Sequence, residues 1–181
     1  MFPKTIRAAA LLAITFAASN AMALPYLGGL VPDTRAYDAD GRTVDMRALV
    51  GRPALVVYED KGSATQNTEL KSELARLAQG ERYRRAIALV PVADVADYAF
   101  WPIQGFVKDS IRSESEKVGA TIYCDWDGSF RSAFGFRRGM SNIVLVGRGG
   151  AILFAREGTL SAEERAKLVE LLRIEVAKIA P

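Results

Sequence analysis

The most constraining feature of the sequence is a buried strand that leads into a helix through a short polar loop. The apolar run from Ala54 to Tyr58 is continuous, which is typical of a strand covered on both faces of a sheet. The loop Lys61-Gly62-Ser63 follows it. A stripe of three leucines at i, i+4 and i+7, beginning at Leu70, predicts a helix over 64–79. A strand and helix joined in this way indicate a layered α/β fold.

Residues 1–23 carry the pattern of an export signal. A basic n-region holding Lys4 and Arg7 precedes an apolar h-region, and Ala21-Met22-Ala23 has the small residues of a cleavage site. The apolar stretch is too short for a typical membrane-spanning helix, and the sequence offers no second candidate. We therefore predict cleavage near Ala23, a single domain over 24–181, and a periplasmic or secreted protein without stable membrane insertion.

The composition excludes several kinds of chemistry. The chain has no histidine, which rules out Ser-His and Cys-His nucleophile pairs, histidine-ligated zinc and histidine-ligated haem. Its one cysteine, Cys124, cannot form an intrachain disulfide even in an oxidising compartment. Part of the formal net charge of +3 comes from Lys4 and Arg7, so the charge balance does not indicate a nucleic-acid partner. No cofactor or metal motif is present, and we expect neither.

Further patterns continue the α/β order along the chain. The segment Asp38-Ala39-Asp40-Gly41 lies between two short extended runs and predicts a β-hairpin; later calcium ligands do not follow it at the spacing of a calcium loop, so we favour a plain turn. Ser161, followed three residues later by Glu164, predicts a capping box that opens the last helix. The other expected strands lie over 86–92, 121–124, 142–146 and 151–155, and the other expected helices over 102–119 and 129–134.

This order resembles the thioredoxin fold over almost all of residues 28–180. The step Gly51-Arg52-Pro53 before the first core strand resembles the opening of peroxiredoxins and TlpA-like redoxins. A nearer resemblance, to the YtfJ family of exported bacterial proteins, is carried by Gly62-Ser63-Ala64, by Ser141 before a late strand, and by the segment 156–164. The resemblance implies a thioredoxin-like three-layer α/β/α fold with a mixed central sheet and an N-terminal β-hairpin extension.

The resemblance also implies where a redox site would lie. In thioredoxins this junction carries a Cys-x-x-Cys pair at a helix N-terminus, whose dipole stabilises the thiolate. Here Ser63 and Gln66 hold the two positions, and Ser141 stands where a cis-proline is expected. An alcohol ionises far less readily than a thiol, and no histidine is available to activate Ser63. We interpret Ser63 and Gln66 as a capping box, and we expect a trans peptide bond before Ser141.

These residues predict a non-catalytic binding or envelope accessory protein. The predicted binding residues are Gly62, Ser63, Gln66 and Ser141, and the expected partner is another envelope protein or a small anionic ligand. The alternative is a thiol-dependent redox protein, either an antioxidant or a disulfide reductase, that uses Cys124. That cysteine lies away from the junction, and a lone cysteine is commonly buried and inert, so we expect a structural role for it.

Three other groups of side chains each have two interpretations. The cysteine with Asp125 and Asp127 could hold a metal, although acids in a turn are usually solvated. The arginines of 82–85 and of 137–138 could bind an anion if the fold brings them together, but we favour a solvated surface. An aromatic segment surrounds Pro102, and we expect core packing for some of its rings rather than a binding face. Its members are Tyr98, Phe100, Trp101 and Phe106.

Overall fold

A computed structural model describes residues 23–179, so most of the predicted export signal lies outside the described residues. Within this part the strands are β1 (Arg35–Tyr37), β2 (Thr43–Asp45), β3 (Ala54–Glu59), β4 (Ala88–Asp94), β5 (Tyr123–Asp125), β6 (Asn142–Val146) and β7 (Ile152–Glu157). The helices are α1 (Thr68–Ala78), α2 (Glu81–Ala86), α3 (Ile103–Val118), α4 (Ser129–Phe134) and α5 (Ala162–Ala177), and a short 3-10 helix spans Ala96–Tyr98. None of the helices described between residues 23 and 179 has the length and apolar character needed to cross a membrane.

The strands of the described part form one mixed sheet in the order β2-β1-β5-β4-β3-β6-β7. Strands β3, β4 and β5 are parallel, whereas β6 runs antiparallel to β3 and β1 runs antiparallel to β5. The sheet confirms the predicted fold class, including the hairpin of β1 and β2 that extends the sheet. The carboxyl ends of β3, β4 and β5 meet the start of β6 at one edge, which we call the upper edge.

The two faces of the sheet carry different cores because side chains of β3 alternate between them. Leu55 and Val57 face a leucine-rich core against α1 and α5, whose main members are Leu70, Leu168 and Leu172. Val56 and Tyr58 face an aromatic core against α4 and the segment after it, whose main members are Phe130, Phe134 and Phe136. This double burial explains why the sequence of β3 is apolar without interruption.

One predicted turn and one predicted helix cap are confirmed by their hydrogen bonds. Asp38 Oδ1 accepts the N–H groups of Asp40 at 2.9 Å and Arg42 at 2.8 Å, which closes the hairpin as a plain turn. In the α5 capping box, Ser161 Oγ accepts the Glu164 N–H at 3.2 Å and Glu164 Oε2 accepts the Ser161 N–H at 2.9 Å.

The structure differs from the sequence-based elements around α1. This helix begins at Thr68 rather than at residue 64, because residues 60–67 form turns that are held by side-chain hydrogen bonds. The short helix α2 forms in the basic stretch for which no element was predicted, and its first residue, Glu81, forms an ion pair with Arg85 one turn later. Strands β4 and β5 begin two residues later than predicted.

Helix α5 offers a matched test of the leucine-rich core. Leu172 is buried, whereas Ile174 on the same helix is exposed. We expect Leu172→Ala to lower the free energy of unfolding by about 2–5 kcal/mol, because it removes buried methyl groups and leaves a cavity. The control Ile174→Ala should change it by less than about 1 kcal/mol. Urea unfolding followed by circular dichroism measures both, and equal losses would contradict this packing.

Candidate functional site

At the end of β3, the side chains of Asp60 and Ser63 bond to each other. The Ser63 N–H and hydroxyl donate to Asp60 Oδ1 at 2.8 and 3.0 Å, and Ser63 Oγ accepts the Asp60 N–H at 2.9 Å. Asp60 Oδ2 accepts the Gly139 N–H at 2.6 Å. Ser63 is fully buried, and in this conformation its hydroxyl is not accessible to a ligand.

The predicted capping box of Ser63 and Gln66 is wrong. The Gln66 N–H donates to the backbone oxygen of Ser63 at 3.0 Å, not to its side chain. The cap position of α1 is held by Asn67, whose side chain makes no cap hydrogen bond. Local side-chain bonds from Asp60 compete with helix formation here, so the N-terminus of α1 starts beyond Ser63 rather than at it.

The side chain of Gln66 reaches instead across the upper edge of the sheet. Its Nε2 donates to the backbone oxygen of Gly139 at 2.9 Å, and its Oε1 accepts the Ser141 N–H at 2.9 Å. The carboxamide thus bonds the C=O of Gly139 and the N–H of Ser141, two residues later. A neighbouring β-strand would bond the same two groups, so the side chain takes the place of a strand. Gln66 therefore ties the segment before α1 to the loop before β6.

Asn67 makes the same kind of contact with a second loop. Its Nδ2 donates to the backbone oxygen of Gly158 at 2.8 Å, and its Oδ1 accepts the Leu160 N–H at 2.9 Å. Asn67 is buried, so these bonds satisfy polar groups that water does not reach. We refer to Gln66 and Asn67 together as the amide clamp, because the two side chains hold the loops before β6 and after β7.

Ser141 completes this network from the start of β6. Its hydroxyl donates to Glu59 Oε1 at 2.6 Å, and Lys71 Nζ contacts Glu59 Oε2 at 2.6 Å. Ser141 is fully buried. The peptide bond before it is trans, as expected, because the cis bond recorded among residues 23–179 is Trp101–Pro102. The structure thus brings together Ser63, Gln66 and Ser141 of the predicted binding residues, with Gly62 exposed beside them.

A second polar network, which sequence reasoning missed, lies beside the aromatic core. Asp94 and Asp125 end neighbouring strands in register, and the Tyr58 hydroxyl donates to Asp125 Oδ2 at 3.0 Å. Arg131 Nη1 contacts Asp94 Oδ2 at 2.5 Å, and Arg138 Nε lies 3.3 Å from the same oxygen. Burial raises the pKa of Asp125 and also that of Tyr58. The sequence feature that could have predicted this network is the pair of acids, Asp94 and Asp125, at the ends of two parallel strands.

Cys124 is buried in β5, away from the junction. Burial, with the nearby Asp38 charge, raises the pKa of its thiol to about 12, so the thiol is protonated near neutral pH. Within residues 23–179, no group of three or more histidine, cysteine, aspartate or glutamate side chains has the arrangement of a metal site. Cys124, Asp125 and Asp127 are therefore not grouped as metal ligands. These positions fit a structural cysteine.

The two arginine groups lie at opposite ends of β4 and do not form one anion site. The arginines of 82–85 belong to α2, which precedes β4. Arg138 contacts Asp94, at the far end of β4, and also Asp97 at 2.5 Å. Arg137 forms an ion pair with Glu157 at 3.1 Å.

The aromatic segment is exposed, so the expected core packing of its rings is wrong. The exposed fraction is 90% for Trp101, 68% for Phe106, 58% for Phe100 and 38% for Tyr98. We call these four residues the aromatic surface. They precede and begin α3, and no element described within residues 23–179 covers their rings. Sequence alone missed this because an apolar residue does not reveal whether a later element covers it.

The aromatic surface lies on the same edge as the amide clamp. Asp97, in the 3-10 helix that begins this segment, pairs with Arg138. Arg138 is followed by Gly139, which contacts both Gln66 and Asp60. The upper edge therefore combines a closed polar network with uncovered aromatic rings.

The mixed sheet, the helices on its two faces and the position of this junction define a thioredoxin-like protein, and with one cysteine it cannot carry a Cys-x-x-Cys pair. The chain belongs to the family described as a bacterial protein of unknown function (YtfJ_HI0045), whose model matches residues 52–175. This agrees with the family resemblance found in the sequence. A search of curated proteins found no match.

Three solved structures illustrate the fold. An uncharacterized conserved protein of Geobacillus kaustophilus has a TM-score of 0.63 at 13% identity, covering 84% of this chain and 83% of that one. A candidate thiol:disulfide interchange protein DsbE of Chlorobium tepidum has a TM-score of 0.60 at 18% identity, covering 85% and 99%. The thioredoxin domain of a thiol-disulfide oxidoreductase of Bacteroides vulgatus has a TM-score of 0.58 at 15% identity, covering 81% and 97%. At these identities the likeness concerns the fold.

The carboxylate of Asp60 gives the junction a predictable pH dependence. Burial alone would raise the pKa of Asp60, but hydrogen bonds from Gly139 and Ser63 lower it below its ordinary value. The stabilisation is therefore present above the unfolded-state pKa of about 3.9 and is lost as the pH falls through the lower folded-state value. At pH 7 we expect Asp60→Asn to lower the free energy of unfolding by about 1–2 kcal/mol, because hydrogen bonds to a carboxylate are lost.

The test compares urea unfolding of wild type and Asp60→Asn between pH 7 and pH 2. The difference between them should be constant down to about pH 4 and shrink below it. Asp33→Asn is the control, since the Asp33 side chain is exposed and its ion pair with the exposed Arg47 spans 3.5 Å. A difference that grows on acidification would contradict the role assigned to Asp60.

Proposed function

We propose that the protein is an exported, non-catalytic binding protein that holds another envelope protein on its aromatic surface. The observation that carries this proposal is the exposure of Trp101, Phe106 and Phe100 together at one end of α3. Monomeric soluble proteins rarely expose clustered large apolar side chains without a binding role, and aromatic side chains dominate the binding energy of protein interfaces.

The geometry of the junction supports a non-catalytic role. The position at which a thioredoxin would carry its reactive thiol holds Ser63, which is buried and bonded to Asp60. The thiol-dependent alternative requires a reactive Cys124, but burial and a pKa of about 12 oppose thiolate formation there. The absence of histidine from the sequence leaves no imidazole to activate either group.

Export is the second part of the proposal. It rests on the signal pattern of residues 1–23, with its basic start, apolar middle and small residues before the cleavage site. A periplasmic or secreted protein meets other proteins of the envelope, which is why we assign the partner to that compartment. A fold with ordinary packed cores and no disulfide is compatible with this location.

The proposed partner is a protein segment that presents an apolar surface of its own. Trp101 and Phe106 would act as anchors that become desolvated in the complex, while Arg138 and Asp97 would lie at the polar rim. Within the amide clamp, the buried Asn67 holds the loop after β7 in place without touching the partner. In this proposal, the exposed Gly62 and part-exposed Gln66 are the junction residues available to touch the partner.

The test is capture of envelope proteins by the purified mature chain, followed by affinity measurement with the captured protein. We expect the double variant Trp101→Ala/Phe106→Ala to weaken binding by at least about tenfold. Truncating an aromatic anchor that is buried in a complex lowers the binding free energy by about 2 kcal/mol. The matched control is Tyr26→Ala/Leu27→Ala, which removes exposed apolar side chains from the N-terminal lead-in.

The control should bind as wild type does. If the aromatic variant captures the same protein with unchanged affinity, the aromatic surface is not the binding surface. If Cys124→Ser abolished a peroxide- or disulfide-reducing activity of the wild type, the protein would be a redox enzyme and the non-catalytic proposal would fail.

A further inference from the structure

A small cavity lies between the hairpin strand β1, the end of β5 and the first turn of α3. Its volume is about 170 Å³, and its lining includes Arg35, Tyr37, Gln104, Trp126 and Asp127. Ala36 points into the aromatic core, so its neighbours on β1 point to the opposite face of the sheet, towards α3. Cys124, opposite Tyr37, forms part of the cavity floor.

The cavity exists because α3 packs loosely on this part of the sheet. Every residue of this helix lies within the described part, and none of its side chains is fully buried. Ile103 and Val107, on the face expected to pack, are only partly buried. An amphipathic helix normally buries its apolar stripe, so the space under the first turn of α3 is left for another group.

The cavity wall carries two opposite charges that do not neutralise each other. Arg35 and Asp127 both line it, and neither forms an ion pair with any residue described between Ala23 and Ile179. Asp127 Oδ1 accepts the Ser129 N–H at 2.9 Å, and hydrogen bonding from Ser129 lowers its pKa, so the carboxylate is ionised near neutral pH. The exposed guanidinium of Arg35 keeps its donors free for a ligand.

The remaining groups define the character of the wall. Asp125 is also part of the lining, but its two oxygens already accept bonds from Tyr58 and from the backbone of α4. Trp126 supplies an apolar surface, and Lys108 Nζ lies 5.9 Å from the centroid of its ring. Lys108 thus adds a second positive charge near the cavity, and Gln104 adds a neutral donor and acceptor.

We propose that this cavity binds a small zwitterion, namely a free α-amino acid with a short apolar side chain. The carboxylate would pair with the guanidinium of Arg35, whose planar fork matches two carboxylate oxygens. The ammonium would pair with Asp127, and the apolar side chain would lie on Trp126. The cavity volume of about 170 Å³ is several times what one water molecule needs, which leaves room for a ligand of a few heavy atoms.

The experiment is a titration of the full mature protein followed by the NMR signal of the Trp126 indole N–H. The probes are L-valine, isobutylamine, which lacks the carboxylate, and isovalerate, which lacks the ammonium. We expect valine to bind at least about tenfold more tightly than either probe, because each of them leaves one charge of the cavity unpaired.

Two conservative variants remove one charge each. Arg35→Gln and Asp127→Asn should each weaken valine binding by at least about tenfold, and Asn can still accept the Ser129 N–H through its amide oxygen. The controls are Arg47→Gln and Asp33→Asn, an exposed ion pair elsewhere in the N-terminal part of the chain, which should leave binding unchanged.

Four outcomes of these titrations would contradict the proposal. Equal binding of isovalerate would make the cavity a simple anion site, and equal binding of isobutylamine would make it a cation site. No shift of the Trp126 signal with glycine, alanine, valine or leucine at up to about 10 mM would mean that no amino acid is bound. Any of these results, or equal loss in the control variants, overturns the assignment.

Discussion

Two adjacent carboxamides hold the upper edge of this protein together. Gln66 and Asn67 each bond the C=O of one loop residue and the N–H of the second residue after it, at 2.8 to 2.9 Å. The loops before β6 and after β7 are therefore fixed to the turn that precedes α1. Asp60 adds a third link through the Gly139 N–H. Because Asn67 is buried, breaking either of its hydrogen bonds would leave a polar group unsatisfied and away from water. That free-energy cost opposes movement of the loops and keeps this edge rigid.

This constraint decides which surfaces remain available for function. Ser63 and Ser141 are fully buried and bonded within the network, so their side chains are structural groups. Thioredoxin chemistry needs an accessible thiolate, and the one cysteine of the chain is buried in β5 with a raised pKa. The uncovered features lie along the neighbouring helix α3, where the aromatic surface and the small charged cavity occur. These features are the ones on which the proposed binding role rests.

Local signals in the sequence were sufficient for much of the fold. The α5 cap, the bounds of α4 and of β6, and the Asp-Gly hairpin were all predictable, because each depends on neighbouring residues. The start of α1 was missed because the Ser63 side chain bonds locally to Asp60 rather than to Gln66. Gln66 and Asp60 bond instead to Gly139, 73 and 79 positions away, and no local pattern shows those contacts. The exposure of Trp101 was missed for a related reason: an apolar side chain shows no sign in the sequence of whether another element covers it.

The network around residue 63 shields its side chain from reagents. The most direct measurement of this shielding is the thiol-labelling rate of Ser63→Cys in a Cys124→Ala background, with Ala64→Cys as the exposed control. Urea unfolding of each variant establishes that the labelled protein is folded. We predict that the thiol at position 63 reacts at least about a hundredfold more slowly than that at position 64, because it becomes accessible only on local opening. Comparable rates in folded protein would contradict the account.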